Sequence, residues 1–421
     1  MAAKTIHSSR VAYFPETTQG TPPASWDAQQ QVDHTAAETD GIKQSLIADP
    51  TLQLSVNETG SDIMIKGLRS SEFKLGLKLH GSGVTTVGGS QITKTPLMRI
   101  AEHCWGGIHR SNSTTCTGGS ATVPELTAVT NIVAGCILGF EDVTSPTTMN
   151  AGKVFLRRVV SIDTLEVTLD RELPFTPANT DKVHAVATIY FDEDVLVDSS
   201  DPVGTFSWFV QKARTGADDL CWELMGCAAT LAFTGLTRNG VPGLDLAIMA
   251  ANFRHGNITP PTWSGSAAGN AQLAIGRDTQ FSLVEYGDTT NTLLQCAAVA
   301  IEPGIPRVAL DTVTEVDDNM EGRWAYSVEP AATTATITIG AHSGSYESAL
   351  QADTQYAMSY CQVAAAGKVW GIFLPHCQIA ENPGDSPINA VHGAQVKFQA
   401  RVPDDAGTTT IATSKILLAI G

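Results

Sequence analysis

The sequence predicts a mainly β protein: sheets of the sandwich or barrel kind, short helices between strands, and a small inserted β-barrel domain. Three observations predict it. Strict alternation runs from Phe73 to His80 (FKLGLKLH), a capped helical segment follows at Thr95 to Trp105, and a block of short apolar strands lies between residues 116 and 194. Alternation has the period of a strand with one buried face, whereas a helix needs apolar residues at every third or fourth position.

Residues 1–42 read as an extended N-terminal arm. Ser9 to Ile42 is rich in Thr, Gln, Pro and Ala with no helical or strand period, which predicts a segment without a core of its own. Tyr13, Phe14 and Trp26 give it aromatic surface to bury, so the expectation is that a partner subunit orders it.

A first β domain is expected over 43–115 and 195–258. Thr51 to Val56 alternates, Ile63-Met64-Ile65 is a short apolar run, and Phe73, Leu75, Leu77 and Leu79 share one face. Thr95 is placed as a helix N-cap with Pro96 at the first helical position. Leu97, Ile100, Ala101 and Cys104 form the apolar stripe, and Gly106-Gly107 stops the helix. The domain resumes with Thr205 to Val210, Leu220 to Cys227, Thr230 to Thr234 and Leu244 to Ala250.

Between these parts, 116–194 is expected to form the inserted β domain. Its strands are Gly135 to Phe140, Lys153 to Val160, Leu165 to Leu169 and His184 to Phe191. After a Gly/Pro/Ser/Asn-rich link at 256–276, a second β domain is expected over 259–421. There the order strands, short helix (345–353), strands recurs. Side-chain identity between the halves is low, so element order alone carries the duplication.

Composition narrows the function. The 421 residues carry 26 Lys+Arg and 43 Asp+Glu, a net charge of −17, and charged residues make up only 16%, against about 25% in an average soluble protein. An acidic balance argues against gripping nucleic acid by its phosphates. No apolar run reaches the ~20 residues of a spanning helix, so no membrane insertion is expected. Met1 to Arg10 lacks the apolar stretch of a secretory leader, which predicts folding in a cytoplasm. The eight cysteines include no C-x-x-C pair and read as reduced, buried thiols. His103-Cys104 and His376-Cys377 are the pairs that tempt a catalytic reading. Neighbours on a strand face opposite ways, and Cys104 lies in the helix stripe. No G-x-S-x-G, H-E-x-x-H or phosphate loop occurs, so the chain reads as no enzyme, with no catalytic residue, metal or cofactor. The densest acidic cluster, Glu315, Asp317, Asp318 and Glu321, lacks the spacing of a calcium loop. It reads either as a solvated loop or, with Glu58, Asp62 and Glu223, as the acidic lining of a passage.

The ordered features resemble the tail tube proteins (major tail proteins) of long-tailed bacteriophages. Glu16-Thr17-Thr18-Gln19-Gly20-Thr21-Pro22 is similar to their E-x-x-x-G-T-P opening. The Lys74 to Leu79 strand, the Thr95-Pro96-Leu97 helix and the Gly106-Gly107 stop follow in the same order. Near the C-terminus, Gly371 to Pro375, Glu381-Asn382-Pro383, Val396 to Ala400 and Thr413 to Gly421 are family-like. The resemblance implies a tail-tube-type β-sandwich whose subunits pool strands into a closed barrel. It implies rings of six such folds, stacked into a hollow virion tail assembled in a bacterial host's cytoplasm. Two folds per chain would make a trimeric ring, one fold a hexameric one. Other tail proteins would be partners, and viral DNA would pass through without specific binding. Tyr13, Phe14, Glu16, Gly20, Pro22 and Trp26 are then the candidate inter-subunit arm. The acidic residues become candidates to line the lumen. A tail-tip or baseplate ring of the same fold is the alternative, as is a β-rich receptor- or carbohydrate-binding module. The last would expose aromatic residues, whereas Trp208, Trp222 and Trp370 fall inside strand patterns.

Overall fold

A computed structural model describes residues 9–26, 31–32, 34–38, 42, 46–48, 64–66, 71–85, 88–197, 205–212, 219–237, 240–256, 258–260, 279–311, 323–329, 331–340, 345–385, 393–404 and 409–421. The chain begins with β1 (Ser9–Pro15), β2 (Gln31–Val32), β3 (His34–Glu38) and a hairpin of β4 (Leu46–Ala48) and β5 (Met64–Lys66). Then come β6 (Ser71–Lys78), α1 (Pro96–Trp105) and β7 (Gly106–Arg110). Six short strands follow: β8 (Thr114–Gly119), β9 (Pro124–Leu126), β10 (Ile137–Glu141), β11 (Val154–Asp163), β12 (Glu166–Leu169) and β13 (Lys182–His184). After them come β14 (Ala187–Phe191), α2 (Glu193–Val197), β15 (Phe206–Lys212), β16 (Leu220–Thr234) and β17 (Gly243–Gly256). The C-terminal part holds β18 (Thr279–Glu285), β19 (Cys296–Glu302), β20 (Arg307–Asp311), β21 (Arg323–Val328), β22 (Thr334–Ile339) and α3 (Ser345–Gln351). It ends with β23 (Gln355–Gln362), β24 (Trp370–Ile379), β25 (Gly384–Asp385), β26 (Ala394–Ala400), α4 (Thr410–Thr413) and β27 (Leu417–Ile420).

Local chemistry explains the clearest elements. On β6, Phe73, Leu75 and Leu77 are buried while Glu72 and Lys74 are exposed. Helix α1 starts where Thr95 accepts a hydrogen bond from the Met98 N–H and Pro96 supplies a preset φ. It stops at Gly106, whose φ of 94° suits glycine and where a Cβ would stand 2.3 Å from the Asp192 carbonyl oxygen. The stripe Leu97, Ile100, Ala101 and Cys104 is buried in the main core.

The barrel closes in the order β10-β11-β12-β9-β8-β13, within residues 114–184. Leu126, Ile137, Phe140, Val167 and Val183 are buried in an apolar cluster that the barrel shares with the large sheet. The strand Ala187–Phe191, expected in this block, lies elsewhere. It pairs β7 on one side and β27 on the other, in the large sheet. The continuous apolar run from His184 hides that switch, because it shows no boundary between the two sheets. Arg171 ties barrel to sheet. Its guanidinium is buried, bonding Asp170 at 3.2 Å and the Ser359 hydroxyl on β23 at 2.8 Å.

The duplication expected from element order appears in the strand pairing. The first sheet runs β2-β1-β15-β16-β17-β6-β3. The second contains β18-β23-β24-β26-β22-β19. Removing β2 leaves the same chain-order pattern, all antiparallel. Facing partners correspond one to one. Tyr13–Trp208–Leu224 in the first sheet matches Leu283–Met358–Leu374 in the second. Likewise Phe206–Cys227–Ala250 matches Tyr356–Cys377–Ala400, each pair 150 residues apart. Ala37–Leu75–Leu246 matches Val299–Ile337–Val396. Even the irregularities recur: a register shift between Phe206 and Trp208 matches one between Tyr356 and Met358, and His34/Ala36 matches Cys296/Ala298. A two-stranded hairpin (β4–β5, β20–β21) and a helix (α1, α3) occupy the same places in each half. Two differences stand out. The first half carries the barrel between α1 and β15, and the long β17 is replaced in the second half by β26 and β27 side by side on β24.

Within the segment expected to be an arm reaching a partner, the described strands β1, β2 and β3 pair inside their own chain. β1 pairs β15 along its whole length, β2 pairs β1, and β3 pairs β6. Val11 and Tyr13 are buried in the main core. Strand β1 has only a short apolar run of its own, and the wide, apolar β15 supplies the rest of its burial.

The halves meet head to tail. The Val299 N–H on the outer strand β19 donates to the Leu236 carbonyl beyond β16 at 3.0 Å, and Thr237 forms a bridge with Ala298. The second hairpin lies over the first sheet. Tyr326 donates its hydroxyl to the Gly226 carbonyl and, at 3.2 Å, to that of Met249. Arg323 reaches the Ala250 carbonyl at 3.1 Å, and the Arg307 N–H reaches the Thr230 hydroxyl at 2.9 Å.

Candidate functional site

The residues singled out by the sequence fall into two described constellations and one group outside the described residues. The first constellation is Glu16. Where β1 ends, its carboxylate is buried and accepts from the Gly20 N–H at 2.7 Å, the Gly226 N–H at 2.9 Å and the Ser207 hydroxyl. Desolvation raises its pKa above the ordinary carboxylate value, although these bonds pull the other way. The E-x-x-x-G spacing is thus a turn closed by its own acid, with Gly20 in the left-handed region at φ 75°. Its other donors come from the β15–β16 irregularity. The second half fills the corresponding place differently: Tyr286 stacks on His376 with ring centroids 4.2 Å apart, and His376 contacts the Gln355 side chain at 2.7 Å.

The second constellation joins residues expected in different roles. Trp26 donates its indole N–H to Glu223 at 3.0 Å and lies 5.6 Å from the Phe209 ring. Ala12, Phe209 and Cys221 form a small cluster there with Trp26 and Ile258 packed against it. Glu223 is therefore not an open wall carboxylate. It is 7% exposed, covered by Trp26 of its own chain, with Arg254 at 3.8 Å. Of the remaining arm candidates, Tyr13 and Gly20 are buried and Phe14 and Pro22 are half-buried. Glu58, Asp62, Glu315, Asp317, Asp318 and Glu321 lie outside the described residues. In the chain they fall between β4 and β5 and between β20 and β21, the two corresponding hairpin connections.

Both faces of β15, β16, β23 and β24 are largely buried, whereas the β17-β6-β3 and β26-β22-β19 sides of the two sheets have one face in the core and one wet face, with corresponding positions on the same side. On the first sheet the wet face carries Glu38, Glu72 and Asp245 beside Lys74 and Lys78. On the second it carries Glu302 and Lys397 among Thr336, Gln395 and Gln399. Charge on these described faces is nearly balanced, so the net −17 of the chain is not concentrated on them. Such faces offer neither a basic stripe nor a dense acidic field.

The thiols sit as the sequence indicates. Seven of the eight free cysteines are buried and Cys296 is half-buried, and burial pushes Cys104, Cys136 and Cys377 up to about 12. His103 packs against Phe206 and His376 against Tyr286, each held by a ring. Among the described residues no group of three or more His, Cys, Asp or Glu is placed to hold a metal ion, and no helix is long and apolar enough to cross a membrane. Trp208, Trp222 and Trp370 are buried, so they form no aromatic sugar platform.

Sequence reasoning missed the junction between the halves. Val299, Leu236, Arg307, Arg323 and Tyr326 carry no motif. The one available signal was an arginine and a tyrosine inside short strands, which need a partner when covered. Compared with models of known protein families and with curated proteins, the chain matches none of them.

Proposed function

We propose that this protein is a structural subunit of a bacteriophage tail tube: three chains close a ring of six sheets, and rings stack into a conduit for the genome. The observation that carries the reading is the repeated sheet, joined head to tail within one chain. A contact of that kind leaves one unmatched end on each half, and such contacts propagate until a ring or filament forms. The sequence resemblance supplies the tail. Nearly balanced wet faces suit a wall along which DNA slides, since a basic wall would hold each phosphate.

Electron microscopy of the purified chain tests this. Rings with a central hole, three chains in each, stacking into tubes, are the expected result. Rings that never stack would move the assignment to a tail-tip ring. A chain that remains monomeric at high concentration would remove the conduit reading.

A further inference from the structure

We infer that β3 is the receiving edge for a second copy of this chain, and that the contact repeats the junction already made between the two halves. The inference deepens the assembly reading and rests on it only for the number of copies.

The argument is one of equivalence. Ala37 in β3 holds the place of Val299 in β19: Ala37 faces Leu75 and Leu75 faces Leu246, as Val299 faces Ile337 and Ile337 faces Val396. The register shift beside each is the same. Val299 turns its N–H away from β22, to the Leu236 carbonyl of the first half. By this equivalence the Ala37 N–H points outward from β6. Among the described residues no strand lies beyond β3. An open edge of this kind is a pairing template.

The occupant follows from what sits on β19. That is the far end of β16–β17, whose counterpart in the second half is the far end of β24–β26. Were the two halves related by a closed two-fold, both junctions would be made inside the chain. Among the described residues only one is made, which assigns the second to another copy. The same rotation places the first hairpin, β4–β5, over β24 and β26 of the neighbour, as β20–β21 lies over β16 and β17 here.

The test is Ala37→Pro in the full chain. Proline removes the N–H that corresponds to the one Val299 uses, and it suits an edge strand. Rings from the parent chain and folded monomers from the variant, with the far-UV spectrum unchanged, are the expected result. Backbone hydrogen exchange provides the second measurement: the Ala37 amide should slow at least tenfold on assembly of the parent chain. It decides the matter if the variant does not fold. Normal rings from the variant, or an Ala37 amide that exchanges equally fast in ring and monomer, would overturn the junction and leave the conduit reading standing. A parent chain that stays monomeric would overturn both.

Discussion

Replacing Glu16 removes the acceptor for three donors at once: the Gly20 and Gly226 N–H groups and the Ser207 hydroxyl. Hydrogen bonds to a charged group contribute about 1.5–3 kcal/mol each, and a buried donor left without a partner costs about 1–3 kcal/mol. Burying the carboxylate offsets part of this, as the upward pKa shift shows. Glu16→Ala should therefore cost about 3 kcal/mol net. Glu16→Gln keeps an oxygen for Gly226 and Ser207 but turns an NH2 toward Gly20, and should cost about 1–2 kcal/mol. The assay is urea unfolding followed by tryptophan fluorescence, in the Ala37→Pro background so that assembly does not contribute. Trp208 reports locally, since Tyr13 on β1 lies 5.8 Å from it. The pH dependence has a definite sign. A carboxyl with a raised folded-state pKa stays protonated in the fold where the unfolded chain has already lost the proton. Its contribution to stability is full below the unfolded pKa and is lost as pH rises through the folded one. The parent should gain stability on acidification through that window relative to the glutamine variant. Loss below about 0.5 kcal/mol for Glu16→Ala, with parallel pH profiles, would show that Glu16 does not anchor the turn.

Arg171→Met should lower stability by about 3 kcal/mol, because it leaves Asp170 beside the barrel without its buried partner. A urea midpoint within error of the parent would refute the clamp between barrel and sheet. Trp26→Phe should cost about 1 kcal/mol through the lost bond to Glu223, and Trp26→Ala about 2–3 kcal/mol because it also uncovers Phe209. Equal thermal shifts for the two would assign the effect to the bond with Glu223 alone and refute the packing contribution of the Trp26 ring. With Ellman's reagent at pH 8, no thiol should react within the mixing time and all eight should react in urea, since thiolate is the reacting form. Rapid reaction of Cys104, Cys136 or Cys377 would contradict their burial.

Elements governed by neighbours in the chain were legible in the sequence. Helix α1 was read with its N-cap Thr95, its proline and its stop at Gly106, because capping and the left-handed glycine act within one turn. β6 was read from alternation, and the barrel from closely spaced strands with turns. The places where expectation and structure differ concern which part of the chain covers a residue. Residues 9–38 looked unstructured because β1 and β3 have little apolar surface of their own, and their burial comes from β15 and β6, far away in the chain. Glu223 looked like an open acid because nothing local announces Trp26, 197 residues distant, as its cover.

What the sequence by itself determined is the period of each strand, the caps, the order of elements and the charge. Two faces per strand follow from that period, without saying which sheet the strand joins. Tertiary structure alone decided that two stretches with almost no shared side chains build the same six-strand order, one end of each joined to the other. The physical reason is that a sheet fixes side-chain polarity at alternate positions and leaves identity free. Pairing order and register survive where identity does not, and both are properties of strands far apart in the chain.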